Sequence, residues 1–314
     1  MGSEWMSELP ESLTRIPIID LAIPGSHDSG ATSVLSIKYP VANDEATNRF
    51  LNCFGKLTVS RRVIRRWAIT QHVSAGAQCQ MGIRYFDLRV SNPPNSLPYG
   101  FHLVHALYGP ELSTFLKEIK DFLDIHPKEI VILDMNHLFQ VDWEVHQELE
   151  KLIVEIFGRK RFCKPLNGND SSFERTLDEI TLEMMWERGE QVICITAFEY
   201  YPSNSIFWPG FSSIVSPYPE TNDIAQLIEY LSQTQVFRSI NNTMFYVTQG
   251  ILTATIKNIS RSPFSSLEKQ LSLKATAAVR KWIFEFDHPE LFNIVIVDFR
   301  GLFEKEKLLF EGLL

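Results

Sequence analysis

Ile16-Pro17-Ile18-Ile19-Asp20-Leu21-Ala22-Ile23-Pro24-Gly25-Ser26-His27-Asp28-Ser29 is a largely apolar run that meets a proline–glycine pair and then turns polar. The apolar residues from Ile16 to Ile23 read as a buried strand, which Pro24 and Gly25 end. His27 then stands just past a strand end, where α/β proteins place their chemistry. The pattern recurs downstream. Gly82-Ile83-Arg84-Tyr85-Phe86-Asp87-Leu88-Arg89 reads as a strand ending in an acid and a base, and Phe101-His102-Leu103-Val104-His105 as a third.

Extending this reading gives eight expected strands: Ile18 to Ile23, Ile83 to Arg89, Phe101 to His105, Ile130 to Met135, Val192 to Thr196, Ser213 to Val215, Phe245 to Thr248 and Ile294 to Asp298. Amphipathic segments alternate with them. The clearest carries Leu112, Phe115, Leu116, Ile119, Phe122 and Leu123 on one face, opposite Lys117, Glu118, Lys120 and Asp121. A second stripe ends at Gly158, a candidate carboxy-terminal cap; a third follows Asn222, a candidate amino-terminal cap. Strand–helix alternation with eight strands predicts a TIM-type (β/α)8 barrel, regular or incompletely closed. A length of 314 residues suits one such barrel with insertions, so residues 1–314 are read as one domain.

Composition narrows the function. With 45% hydrophobic and 22% charged residues the chain can bury a large core and stay soluble. A net charge of -8 argues against nucleic acid as a partner, since that binding needs a cationic field. Cys53, Cys79, Cys163 and Cys194 are scattered without a CxxC pair, which favours a reducing compartment. The stretch from Met1 to Arg15 lacks the apolar core of a signal peptide, and no apolar run approaches membrane-spanning length. A cytoplasmic location is expected.

A barrel gathers its strand ends on one face, so His27, Arg89 and His105 are expected to meet there. Two imidazoles titrating near neutrality can take a proton from an attacking hydroxyl and give one to a leaving oxygen. A guanidinium between them suits the phosphate of a phosphodiester. On residue type alone, the stronger reading of His27 is a turn histidine whose neighbours satisfy backbone donors. His102 competes with His105, but alternation along a strand lets only one face the site. Asp298, at the end of the last expected strand, would lie beside the first strand of a closed barrel and could fix the tautomer of His27. A strand-end acid that merely caps the next loop is the plainer alternative.

The stretches Ile23 to Ser29, Gln78 to Arg89, Val104 to Gly109, Glu129 to His137 and Asn293 to Phe299 resemble the X-domain superfamily of phosphatidylinositol-specific phospholipases C, most of all its single-domain animal members. The resemblance implies a barrel that cleaves phosphatidylinositol-type phospholipid to diacylglycerol and a cyclic inositol phosphate. It makes His27 the general base for the inositol 2-hydroxyl, His105 the general acid for the diacylglycerol oxygen, and Asp298 the partner of His27. Asp28 falls near the leaving oxygen or His105. Calcium-dependent members carry an acid where this chain has Arg89, whereas bacterial members carry arginine. No metal and no cofactor are therefore expected.

Asn136 departs from both branches, which have lysine or glutamate there, and leaves head-group contacts and rate open. Asn136 and Gln249 are candidate substrate-binding residues, and His137 is an even choice between substrate contact and a structural role. Peripheral membrane contact is expected, with Ile206 to Phe211 and the arginines Arg61, Arg62, Arg65 and Arg66 as candidate contacts; packed aromatics and a solvated helix face are the stronger readings. Two rivals stand beside this function. One is a weakly active inositol-lipid-binding or adaptor protein, and the other a metal-dependent phosphodiesterase, which would need more acids close to His27.

Overall fold

The computed structural model describes residues 2–42, 44, 54–93, 98–165, 175–198, 205–238 and 243–299. Cys53 and the chain after Phe299 lie outside that set. Among the described residues ten strands are formed: β1 (Ile23–Ser26), β2 (Tyr85–Ser91), β3 (His102–His105), β4 (Leu107–Glu111), β5 (Val131–Phe139), β6 (Val192–Thr196), β7 (Phe207–Pro209), β8 (Ile214–Val215), β9 (Phe245–Gln249) and β10 (Ile294–Val297). Eight of them pair in parallel in the order β7-β6-β5-β2-β1-β10-β9-β8. This is an incompletely closed (β/α)8 barrel.

The opening has a covalent cause. β7 is joined to β8 only by the helical turn Gly210–Ser213. A parallel crossover needs a dozen or more residues to return to the starting end of the sheet, so four cannot make these strands neighbours. Among the described residues no pairing links β7 to β8.

Side chains of β2 alternate. Tyr85, Asp87 and Arg89 of β2 point into the barrel, while Phe86, Leu88 and Val90 pack outward beneath helices Leu112–Ile125 and Trp143–Phe157. On the other flank Val295 and Val297 of β10 meet Leu227, Leu231, Val279, Trp282 and Ile283. The interior is filled by Ile23, Tyr85, Ile132, Ile193, Ile195, Phe245, Val247, Ile294 and Ile296. Burying each such aliphatic side chain contributes roughly 1.5–3 kcal/mol. At the amino-terminal end of the strands, Trp5, Met6, Ile18, Ile19 and Leu21 plug the barrel.

That plug contains a fully buried ion pair. Arg84 donates to Glu129 Oε2 from Nε (2.8 Å) and Nη2 (2.7 Å), and to the carbonyls of Ser3, Cys79 and Ile83. Glu129 Oε1 accepts from the backbone of Met6 and Ser7. Burial raises the Glu129 carboxyl, while Arg84 and these N–H groups pull it back down. Every charge here is answered by several partners, which makes the cluster a structural one.

Four sequence expectations are corrected. Ile18 to Ile23 is not a strand: Ile18–Asp20 forms a single 3-10 turn after Pro17, and β1 starts at Ile23. Pro24 and Gly25 lie inside β1 rather than ending it, because the barrel is crowded there. A Cβ on Gly25 would come within 2.7 Å of Ile296 and 2.8 Å of Tyr85. Phe101 to His105 is not a barrel strand, since β3 runs antiparallel to β2 and pairs with β4 in a hairpin. Its place in the count is taken by β7, whose Phe207 and Trp208 are buried along with Ile206. Of the Ile206 to Phe211 stretch, Phe211 is the exposed aromatic. Finally, helix Ile224–Phe237 is capped by Asp223, which accepts from the Gln226 N–H at 3.0 Å, rather than by Asn222. Gly158, at φ +78°, caps helix Trp143–Phe157 as expected.

Candidate active site

The period of two that packs the barrel also builds the site. Two residues beyond inward-facing Gly25 comes His27, and two beyond Ile296 comes Asp298. Ile132 is followed on the same face by Asp134 and Asn136, and Val247 by Gln249. His27, Arg89, His105, Asp298, Asn136 and Gln249 all line one cavity of about 630 Å³ at the carboxy-terminal end of the strands. Asp87, Asp134 and His137 line it too. Asp28 is buried beside them.

Asp28 is the hub. Its Oδ2 lies 3.3 Å from Nε2 of His27 and 3.3 Å from Nε2 of His105, and its Oδ1 pairs with Arg89 Nε. Arg89 Nη2 is 3.4 Å from His27 Nε2, and the two imidazole centroids are 6.3 Å apart. The turn that presents this carboxylate is held at several points. Asp28 adopts φ +41°, a left-handed conformation that aspartate tolerates better than most residues. Its N–H donates to Asp87 Oδ2 at 3.0 Å, and Thr70 Oγ1 donates to its carbonyl. Gln71 Nε2 donates to the carbonyl of His27 at 2.9 Å.

Each imidazole is oriented through its other nitrogen. His27 Nδ1 meets Asp298 Oδ1 at 2.8 Å, and Asp298 Oδ2 accepts from Ser272 Oγ at 2.6 Å. Ser272 closes a one-turn π-helix, Glu268–Ser272, that leads into helix Leu273–Glu285. His105 Nδ1 donates to the Ala68 carbonyl at 2.7 Å. The hairpin turns directly after His105 at Ala106, φ +55°, whose N–H is held by the Asp44 carboxylate. His102 faces away from the cavity, with Nδ1 3.2 Å from the Gly109 carbonyl and Nε2 3.2 Å from that of Tyr99. Alternation along β3 therefore separates the two histidines.

Burial pulls His27 toward the neutral form, but the Asp28 and Asp298 carboxylates overcome it and raise the imidazole to about 9. Burial likewise pushes Asp28 up, yet Arg89, His105 and His27 outweigh it and hold that carboxyl well below its ordinary range. Asp134 moves the other way. Burial raises it to about 6 against the hydrogen bond it accepts from Tyr85, with Asp87 adding to the rise.

β2 and β5 slip register between Asp87 and Arg89, so Asp87 pairs with Asp134 but Arg89 with His137. The bulge sets Asn136 and His137 at the cavity wall. Asn136 is packed hard on the backbone of Gly210, where any Cβ would collide with its amide. Gln249 donates to Ser216 through both the carbonyl and the hydroxyl, tying β9 to the segment after β8.

Sequence reasoning noted Asp87 only as the acid at a strand end, and it passed over two further contributors. The Tyr85–Asp134 pair follows the same period. Ser272 carries no local signal, because its partner lies 26 residues away.

Donor atoms of His27, Asp28 and Asp87 lie within 4.8 Å of one another, so the trio could in geometry hold a metal ion. The donor set does not suit a hard cation, which wants six to eight oxygens. Both Asp28 oxygens face cationic groups, and the Arg89 guanidinium lies against the cluster.

Residues 64–180 match the family profile described as phosphatidylinositol-specific phospholipase C, X domain. PI-PLC X domain-containing protein 2 of Mus musculus is 33% identical over 282 residues, covering 90% of this chain and 78% of that protein. PI-PLC X domain-containing protein 3 of Homo sapiens is 31% identical over 300 residues, covering 95% and 89%. Among solved structures, the phosphatidylinositol-specific phospholipase C of Listeria monocytogenes superposes with a TM-score of 0.63 at 17% identity, covering 100% of this chain and 98% of that one. A Staphylococcus aureus counterpart gives 0.58 at 19% identity, covering 96% and 92%. The structural likenesses speak for the barrel; on the sequence matches, this chain belongs to the PI-PLC X-domain family.

Proposed function

We propose that this protein is a phosphoric diester hydrolase that cleaves phosphatidylinositol-type lipids without a metal ion. The observation that carries the reading is the convergence of His27 Nε2, His105 Nε2 and Arg89 on one carboxylate, Asp28. Groups that close on one carboxylate are spaced to grip one phosphoryl group. His27 Nε2 takes the proton of the inositol 2-hydroxyl, and the freed oxygen attacks phosphorus. The phosphorus–oxygen bond to the glycerol carbon breaks, and His105 Nε2 protonates the departing oxygen. Arg89 offsets the charge on the other phosphate oxygens. The products are diacylglycerol and a cyclic inositol phosphate. Asp298 keeps the proton of neutral His27 on Nδ1, leaving Nε2 as the base.

The lipid reaches the cavity at a membrane surface. One wall carries Phe54, Ile64, Trp67, Ile251, Leu252 and Ile256. Leu57, Val59, Ile256 and Phe264, in the same stretches of sequence, are exposed, as are Arg62, Arg66, Lys257 and Arg261. Apolar side chains for the interface and cations for anionic lipid are what peripheral binding needs. Arg61 serves the fold instead, donating to the carbonyls of Ile37, Gly55 and Lys56. No helix among the described residues is long and apolar enough to cross a membrane.

The test is product analysis on phosphatidylinositol vesicles in excess chelator. Release of a cyclic inositol phosphate is expected. Turnover that disappears with chelation would reject the metal-free step. Vesicle binding with no product, unchanged in a His27→Ala, His105→Ala double variant, would favour a lipid-binding adaptor.

A further inference from the structure

We propose that His72 is a positioning residue for the reaction, holding Asp298 against the base His27 through its contacts with Glu268 and Phe299. The inference rests on the proposed lipid-cleaving function and adds to it a residue that touches no substrate. Neither His72 nor Glu268 lines the cavity. His72 Nε2 donates to Glu268 Oε1 at 3.1 Å, and its ring packs on that of Phe299 with centroids 4.6 Å apart.

Both contacts lead to Asp298. Glu268 opens the one-turn π-helix that Ser272 closes, and Ser272 Oγ donates to Asp298 Oδ2. Phe299 directly follows Asp298 and adopts φ +51°, a left-handed backbone that a bulky side chain takes only where its surroundings impose it. Two neighbours do so. The Phe299 N–H donates to the Thr70 carbonyl at 2.7 Å, and the His72 ring covers the Phe299 side chain. The same segment also reaches the base, since Thr70 Oγ1 donates to the Asp28 carbonyl and Gln71 Nε2 to the carbonyls of His27 and Val297. Thr70, Gln71 and His72 thus tie together the ends of β1 and β10, which carry His27 and Asp298. His72 is the outermost of these ties. Its side chain is 43% exposed, so replacing it leaves the barrel core intact. What it governs is the angle at which Asp298 meets His27 Nδ1, and a small misplacement of that kind is costly to a proton-transfer step.

The test compares the full chain with its His72→Ala, His72→Gln and Glu268→Ala variants. In proton NMR without lipid, the carboxylate-bound Nδ1–H of His27 gives a far-downfield signal, assigned by its absence from His27→Gln. In His72→Ala and Glu268→Ala that signal should broaden or move upfield while the thermal melt stays cooperative. On phosphatidylinositol vesicles kcat should fall about tenfold with KM unchanged. His72→Gln, whose Nε2 can still donate to Glu268, should recover most of both. A signal and a kcat unchanged in the two alanine variants overturn the inference. So does a lower kcat with the signal unmoved, which marks a merely structural role. A His72→Gln variant as impaired as His72→Ala overturns the part given to Glu268. If the wild-type chain turns over no lipid, the proposed function falls, and the NMR signal alone still decides whether His72 holds Asp298 in place.

Discussion

The two ends of the barrel are built from the same materials and put to opposite uses. At the amino-terminal end, Arg84 and Glu129 are sealed from solvent and each is satisfied by several backbone groups. At the carboxy-terminal end, Arg89, His27 and His105 share one carboxylate and open onto a cavity. A closed ion pair specifies packing, whereas one left accessible can exchange its partner for a substrate. The contrast teaches that charge burial alone does not mark a reactive site; access does.

The comparison breaks most sharply under substitution of the imidazoles. His27→Ala or His105→Ala should lower turnover of phosphatidylinositol by about 10²- to 10⁴-fold, as for loss of a proton-transfer group, while the protein stays folded. Vesicle turnover alongside a thermal melt checks both halves. Glu129→Ala should do the reverse. It strands Arg84 in the plug and costs about 3–5 kcal/mol of stability, read by urea denaturation, with activity per folded molecule unchanged.

Titration sharpens the contrast further. His27 is raised from its ordinary 6.5 to about 9, so the folded state holds its proton more tightly than the unfolded chain does. That contribution to stability is complete below pH 6.5 and is lost as pH rises through about 9. The base it provides behaves oppositely, since kcat/KM should climb over the same interval as Nε2 is freed. Urea unfolding and vesicle kinetics across this range check the pair of trends, and the stability trend should flatten in His27→Gln. The smallest effect belongs to Ser272→Ala. Losing one donor to Asp298 should slow turnover about tenfold and shift the pH profile, with Ser272→Thr restoring much of both.

Much of this was legible because the barrel interior and the site obey one alternation. Once β2 is in register, Tyr85, Asp87 and Arg89 share a face, and the strand-end histidine, arginine and aspartate follow. What escaped was set by contacts distant in sequence. The run Phe101 to His105 is apolar enough for a barrel strand, and nothing in it shows that it runs antiparallel to β2. The hairpin turn after it uses Ala106, held by Asp44, in place of a glycine. Pro24 and Gly25 carry a turn signal, yet the glycine answers to crowding by Tyr85 and Ile296. Phe207 and Trp208 read as packed loop aromatics, but they form β7, whose Pro209 is tolerated because the strand sits at a sheet edge.

The short link between β7 and β8 has a mechanical meaning. A cylinder slit along its length can change its bore without breaking a rung of its ladder. Asn136 wedged on Gly210 stands beside that slit, and Gln249 clasps Ser216 across from it. Any widening of the mouth thus falls on the turn Gly210–Ser213 between β7 and β8, while the parallel pairings that carry His27, Arg89 and Asp298 stay intact.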